Sequence, residues 1–121
     1  MRLSIGTLLI DKKIGGIYMN ITYDKENRLL KIEMTEEIDH CMADKIRNKA
    51  DFEIQEHTPQ KVLMDFENVS FMDSAGIGML LGRYKTAKMV GSTLNITNVK
   101  PNIKKVLEMS GVLKIIPIVE E

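Results

Sequence analysis

A chain of 121 residues has material for one compact domain with a single core. Its 17 Lys plus Arg balance 17 Asp plus Glu, so no global field draws it toward nucleic acid or an anionic membrane. The 44% apolar share is globular, and no apolar run reaches the roughly 20 residues of a membrane-spanning helix.

The first residues, Met1-Arg2-Leu3-Ser4-Ile5 and onward, open like a short signal peptide. Arg2 is a thin charged region, however, and the apolar stretch stops at Asp11-Lys12-Lys13 with no small-residue cleavage site beyond. Gly15-Gly16 are encoded by two GGN codons, which can spell a ribosome-binding sequence, and two codons then precede Met19. Residues 1–18 are therefore expected to be a leader of doubtful reality, with Met19 as the start and the domain over 19–121. An extra strand or a flexible arm is the alternative.

From Met19 the elements follow one another plainly. Asn20 to Tyr23 and Arg28 to Met34 are predicted strands around an Asp24-Lys25-Glu26-Asn27 turn; Leu30, Ile32 and Met34 alternate with Lys31 and Glu33, the period of a strand with one buried face. Asp39 is placed to cap a following helix, in which Met42, Ile46, Lys49 and Phe52 fall at helical spacing with Ala43 and Ala50, until Thr58-Pro59 ends it. Cys41, the only cysteine, allows no internal disulfide or cysteine zinc site; it favours a reducing cytoplasm and reads as a small residue at a helix start. Lys61 to Phe66 is a nearly continuous apolar run, the mark of a central strand buried on both faces. After the loop Glu67-Asn68-Val69-Ser70, a second helix starts near Ser74, with Ile77, Leu80, Leu81, Tyr84 and Ala87 on one stripe and Arg83, Lys85 and Lys88 off it; Gly91 closes it. Thr93 to Thr97 is a strand, Pro101 opens a third helix to about Met109, Gly111 ends it, and Leu113 to Val119 is a last strand. The order β-β-α-β-α-β-α-β predicts a single α/β domain with a mixed, mostly parallel sheet of four to five strands and three helices.

Ser74 sits between a buried strand and a helix, where a hydroxyl accepts a backbone N–H that lacks a partner. The same exposed position suits a phosphoserine, whose charge is favoured at the positive end of the helix dipole. Both readings, cap and switch, stay open on these residues alone. Gly76, Gly78 and Gly82 each cost about 1 kcal/mol in a helix, which argues for close approach of another backbone; Gly82 is read as packing on the sheet and Gly76 as meeting a partner. Enzyme motifs fail: Met72 stands where a nucleophile elbow needs glycine, Gly76, Gly78 and Gly82 miss the dinucleotide spacing by one residue, and no P-loop lysine is present. His40 and His57 lack a spacing partner for a metal site or a triad, and His57 reads as a solvated loop residue. Glu36-Glu37-Ile38-Asp39-His40 is a polar turn whose Asp39 the crossover brings near Ser74. A nucleotide-binding or nucleotide-hydrolysing domain and a scaffold subunit of a signalling assembly are the other classes that remain.

Val69-Ser70-Phe71-Met72-Asp73-Ser74-Ala75-Gly76-Ile77-Gly78 resembles the phosphorylation segment of bacterial anti-sigma factor antagonists, the STAS-domain family. Leu81-Gly82-Arg83-Tyr84-Lys85, Met109 to Ile116, and Glu37-Ile38-Asp39-His40 are similar to the sporulation branch, which acts on the anti-sigma factor of forespore sigma-F. The resemblance runs from about Met19 to Ile116. It implies a STAS fold with no catalytic residues, no metal and no cofactor. It implies that Ser74 is phosphorylated by an anti-sigma factor that is also a serine kinase, that phosphorylation abolishes binding to that factor, and that a PP2C-type phosphatase restores it. Asp39, Asp73, Ser74, Ala75 and Gly76 are the implied partner-binding residues, and the protein is expected to be a cytoplasmic monomer or weak homodimer with no direct contact to nucleic acid or membrane. Two departures stand out. Glu36 replaces a glycine usual before the Asp39 loop, and Glu120-Glu121 fall where the family continues into a C-terminal helix, which would leave the last strand less covered.

Overall fold

A computed structural model describes residues 7–14 and 17–121, with side chains from Met19 onward. Residues 1–6 and Gly15-Gly16, on which the leader reading turns, lie outside the described residues. The strands are β1 (Thr7–Ile14), β2 (Ile17–Asp24), β3 (Leu29–Glu33), β4 (Glu37–Ile38), β5 (Lys61–Asp65), β6 (Phe71–Met72) and β7 (Thr93–Thr97); the helices are α1 (His40–His57), α2 (Ser74–Met89) and α3 (Pro101–Ser110). Five strands form one sheet in the order β1-β2-β3-β5-β7, and β4 and β6 form a separate pair. The sheet is mixed: β1-β2 and β2-β3 are antiparallel hairpins, whereas β3-β5 and β5-β7 are parallel.

Alternation along the strands becomes rows across the sheet. Ile21, Ile32, Met64 and Ile96 stand side by side in register, as do Tyr23, Leu30, Val62 and Leu94, and all eight are buried. Met42, Ala43, Ile46, Ala50 and Ile54 of α1 and Met79, Leu80 and Ala87 of α2 join the same core. Each large apolar side chain so buried contributes about 1.5–3 kcal/mol. The opposite rows are polar except at Leu63, Asn20-Glu33-Asp65-Thr97 and Thr22-Lys31-Leu63-Asn95. The β2-β3 turn is held by Asp24, whose Oδ1 accepts from the backbone N–H of Glu26 and Asn27; the hydrogen bond from the Asn27 side-chain amide foremost, with these backbone bonds, holds its carboxyl below the usual range.

Several expectations need correction. Leu113 to Val119 is not a strand: Val112–Lys114 is a single turn of 3-10 helix, and one parallel bridge, Ile96 to Ile118, carries the pairing. Pro117 and the turn leave too short an extended segment for a ladder. Phe52 points out, 57% exposed, while Ile54 and Glu53 turn inward in its place. His57 ends α1 rather than lying in a loop; it stacks on Tyr23 at 4.3 Å and its Nε2 lies 3.1 Å from the buried carboxylate of Glu53, which also takes Lys49. Arg83, expected off the apolar stripe and therefore outside, is buried.

The tail returns over the polar face. Glu121 pairs with Lys31, which also lies 3.5 Å from the buried Asp65. Burial alone would lower the Lys31 ammonium, but the hydrogen bond and charge of Glu121, with Asp65 and Glu33, outweigh it and hold it above the ordinary lysine range. No helix among the described residues is long and apolar enough to cross a membrane.

Candidate functional site

The short pair β4-β6 explains why the segments before α1 and α2 meet. Glu37 pairs with Phe71 and Ile38 with Met72, in parallel. The Glu36 carbonyl accepts from the Ser70 backbone N–H at 2.8 Å, and the Ile38 carbonyl accepts from the Asp73 N–H at 3.3 Å. Glu36 is not among the residues with positive φ, so the position where a glycine was expected needs no left-handed backbone.

Both helices then start side by side, each capped by an aspartate with extended backbone. Asp39 Oδ1 accepts from the Met42 N–H at 2.9 Å, and Asp73 Oδ1 accepts from the Ala75 N–H at 2.9 Å. Asp39 caps α1 as its position predicts. Ser74 does not cap α2: the carboxylate before it fills that role, and Ser74 is the first helical residue, with its side chain exposed. The physical reason is that an ionised carboxylate is the stronger acceptor for an orphan N–H at the positive end of a helix. The cap reading of Ser74 therefore falls.

Ala75 is half-buried against the core. Gly76 is buried, and the close approach it permits is internal. A Cβ there would overlap the Met72 side chain, 2.7 Å from its Sδ, and reach within 3.3 Å of Ile38 Cγ2. Gly76 thus seats α2 on the β4-β6 pair. Gly82 is the reverse correction, since a Cβ at Gly78 or Gly82 meets nothing within 4 Å. Neither packs on the sheet. Both open onto a groove of about 330 Å³ between α1 and α2, lined on the α1 side by His40, Ala43, Asp44 and Arg47.

The site therefore comprises two adjacent helix N-termini, two capping carboxylates, an exposed hydroxyl and a neighbouring groove. Phe71, half-exposed on β6, lies next to this edge; exposure of an aromatic in a two-residue strand carries no sequence signal. Among the described residues no group of three or more His, Cys, Asp or Glu is placed to hold a metal. A phosphoryl group on Ser74 would gain from the α2 N-terminus yet stand beside the Asp73 carboxylate, so the local surface would turn strongly negative.

A STAS domain family model matches residues 20–121. A Paenibacillus polymyxa protein named anti-sigma F factor antagonist is 34% identical over 102 residues, 83% of this chain and 87% of that one. Among solved structures, the anti-sigma factor antagonist SpoIIAA in its unphosphorylated form superposes with a TM-score of 0.70 at 24% identity, covering 94% of this chain and 88% of that one. The Bacillus cell fate determinant SpoIIAA in the phosphorylated form gives a TM-score of 0.62 at 24% identity, over 94% of this chain and 91% of that one. Both describe a likeness of fold.

Proposed function

The chain belongs to the STAS-domain family, and on that premise we propose that it is an anti-sigma factor antagonist controlled at Ser74. The observation that carries the reading is the position of Ser74: exposed at the first residue of α2, relieved of capping by Asp73. Its hydroxyl makes no cap hydrogen bond that modification would break.

In the unphosphorylated form the surface formed by the α1 and α2 N-termini, with Asp39, Asp73 and Ser74, binds an anti-sigma factor and so frees a sporulation sigma factor. That anti-sigma factor is also a serine kinase. It transfers the γ-phosphoryl group of ATP to Ser74 Oγ, which loses its proton, and ADP leaves. The added group carries about −1.5 to −2 charges and stands beside Asp73, so a partner surface matched to one carboxylate and a neutral hydroxyl no longer fits. A PP2C-type phosphatase hydrolyses the ester and restores binding. The domain is the substrate of both steps and contributes no catalytic group. Likeness to a relative named anti-sigma F factor antagonist, and to a fold solved with and without phosphate, supports this reading.

Intact-mass measurement after incubation with the cognate kinase and ATP is expected to show one added phosphate on the wild type and none on Ser74→Ala. Equal modification of the two would end the assignment. Ser74→Asp is expected to weaken binding less than phosphate does, because a carboxylate has less charge and fewer acceptor oxygens.

A further inference from the structure

The outer edge of β7 is only partly used. In the parallel ladder with β5, the Thr93 N–H donates to the Gln60 carbonyl and the Thr97 carbonyl accepts from the Phe66 N–H, so Thr93, Asn95 and Thr97 address β5. Leu94 and Ile96 therefore turn their N–H and C=O groups to the other side. Ile96 is satisfied there, donating to the Pro117 carbonyl at 3.2 Å and accepting from the Val119 N–H at 2.8 Å. Leu94 is not: its N–H and C=O have no backbone partner among the described residues. The tail supplies no donor at that level, because the N–H groups of Ile115 and Ile116 are both spent on the Val112 carbonyl and Pro117 has none. A groove of about 430 Å³ follows this edge. Residues 92–95 form one wall, Tyr84 and Lys88 of α2 a second, and Ile115 with Pro117 a third.

We propose that an extended segment of a partner protein, bearing an acidic side chain, lies in this groove and adds to β7 as a short strand. The unpaired N–H and C=O of Leu94 select a peptide backbone, since a main chain offers an acceptor and a donor at strand spacing. Tyr84 and the half-exposed Ile115 give its flanking side chains apolar contacts. Lys88 selects the charge. It is exposed and makes no ion pair among the described residues. The segments that build the walls, 74–97 and 112–117, contain no Asp or Glu, and Arg83, the α2 cation that has a carboxylate partner, meets Asp51 on the α1 side. An incoming carboxylate thus finds a free ammonium and no like charge in the walls. Lys88 stands about 20 Å from Ser74 along a helix rising about 1.5 Å per residue, so this surface is separate from the helix start and independent of the antagonist reading.

The test titrates the whole, isotope-labelled chain with a capped probe peptide, Thr-Val-Glu-Val-Thr, to millimolar concentration and follows backbone amides by NMR. Shift changes are expected to centre on Thr93, Leu94 and Asn95, with hydrogen exchange at the Leu94 N–H slowed roughly tenfold at saturation. The same peptide with Lys in place of Glu should bind several-fold more weakly, and Lys88→Glu should reverse that preference. Ile115→Asp should weaken the Glu peptide, with thermal unfolding recorded to show that both variants fold. Absence of shift changes at Thr93 to Asn95 in the wild type would overturn the groove. Equal binding of a peptide methylated at its Val and Glu nitrogens would overturn strand addition. Equal binding of the Glu and Lys peptides would overturn the acidic occupant.

Discussion

Gly76 and Gly82 lie on the same helix and pay the same intrinsic helical cost, but they face opposite surroundings. Gly76 is pressed onto Met72 and Ile38 of the β4-β6 layer, whereas Gly82 borders open space beside α1. One absent side chain lets the helix seat on its own fold; the other leaves room at the surface. Glycine content alone therefore does not tell where a partner binds. The first turns of α2 combine an inner face that is structurally fixed with an outer face that is free to vary.

Substitution at both positions separates the two faces. Gly76→Ala should be the most damaging, costing about 1–3 kcal/mol from forced movement of the Met72 side chain, offset in part by better helix propensity; denaturant unfolding measures it. A wild-type stability there would mean that Met72 moves aside freely. Asp73→Ala should cost about 1 kcal/mol through loss of the α2 cap, while Ser74→Ala should stay within about 0.5 kcal/mol of wild type. The reverse order of those two would return the cap to Ser74. Gly82→Ala, with no clash to offset it, should raise stability by up to about 1 kcal/mol, seen as a higher unfolding midpoint.

The smallest effect is expected at the tail. Glu121→Gln should cost less than about 1 kcal/mol, because its pair with Lys31 is partly solvated. Since Lys31 is held above its ordinary value, its contribution is fully present below about pH 10. It fades as the pH rises through the folded value, so the difference between Glu121→Gln and wild type should shrink in alkaline buffer. Unfolding curves at neutral and alkaline pH check the sign.

Much of the fold is legible in the sequence. The period-2 alternation of Leu30 and Ile32, the continuous run Val62 to Phe66, the Gly91 and Gly111 stops and Pro101 at a helix start are local signals, and each marks an element present in the fold. Asp39 as a cap is local in the same sense, since a cap needs only the N–H groups of its own first turn. The motif around Ser74 pointed to the family for the same reason: its residues are contiguous.

What only the tertiary structure decided depends on neighbours distant in the chain. Arg83 reads as outward on a helical wheel, but α1 lies alongside and supplies Asp51, so the position faces another helix and not water. Gly76 reads as a docking point until the β4-β6 pair, two residues per strand and too short for any periodic signal, places Met72 and Ile38 beneath it. Leu113 to Val119 has the composition of a strand, yet only Ile118 meets β7 across a bridge. Sequence alone determined the three helices, the strands β2, β3, β5 and β7 and the serine at the start of α2, because those follow from short-range hydrogen bonding and hydrophobic period. Packing of α1 against α2 and of α2 on the inner strand pair decided which face is closed and which is open, because side-chain volume and unpaired charge acquire meaning only against the surface they meet.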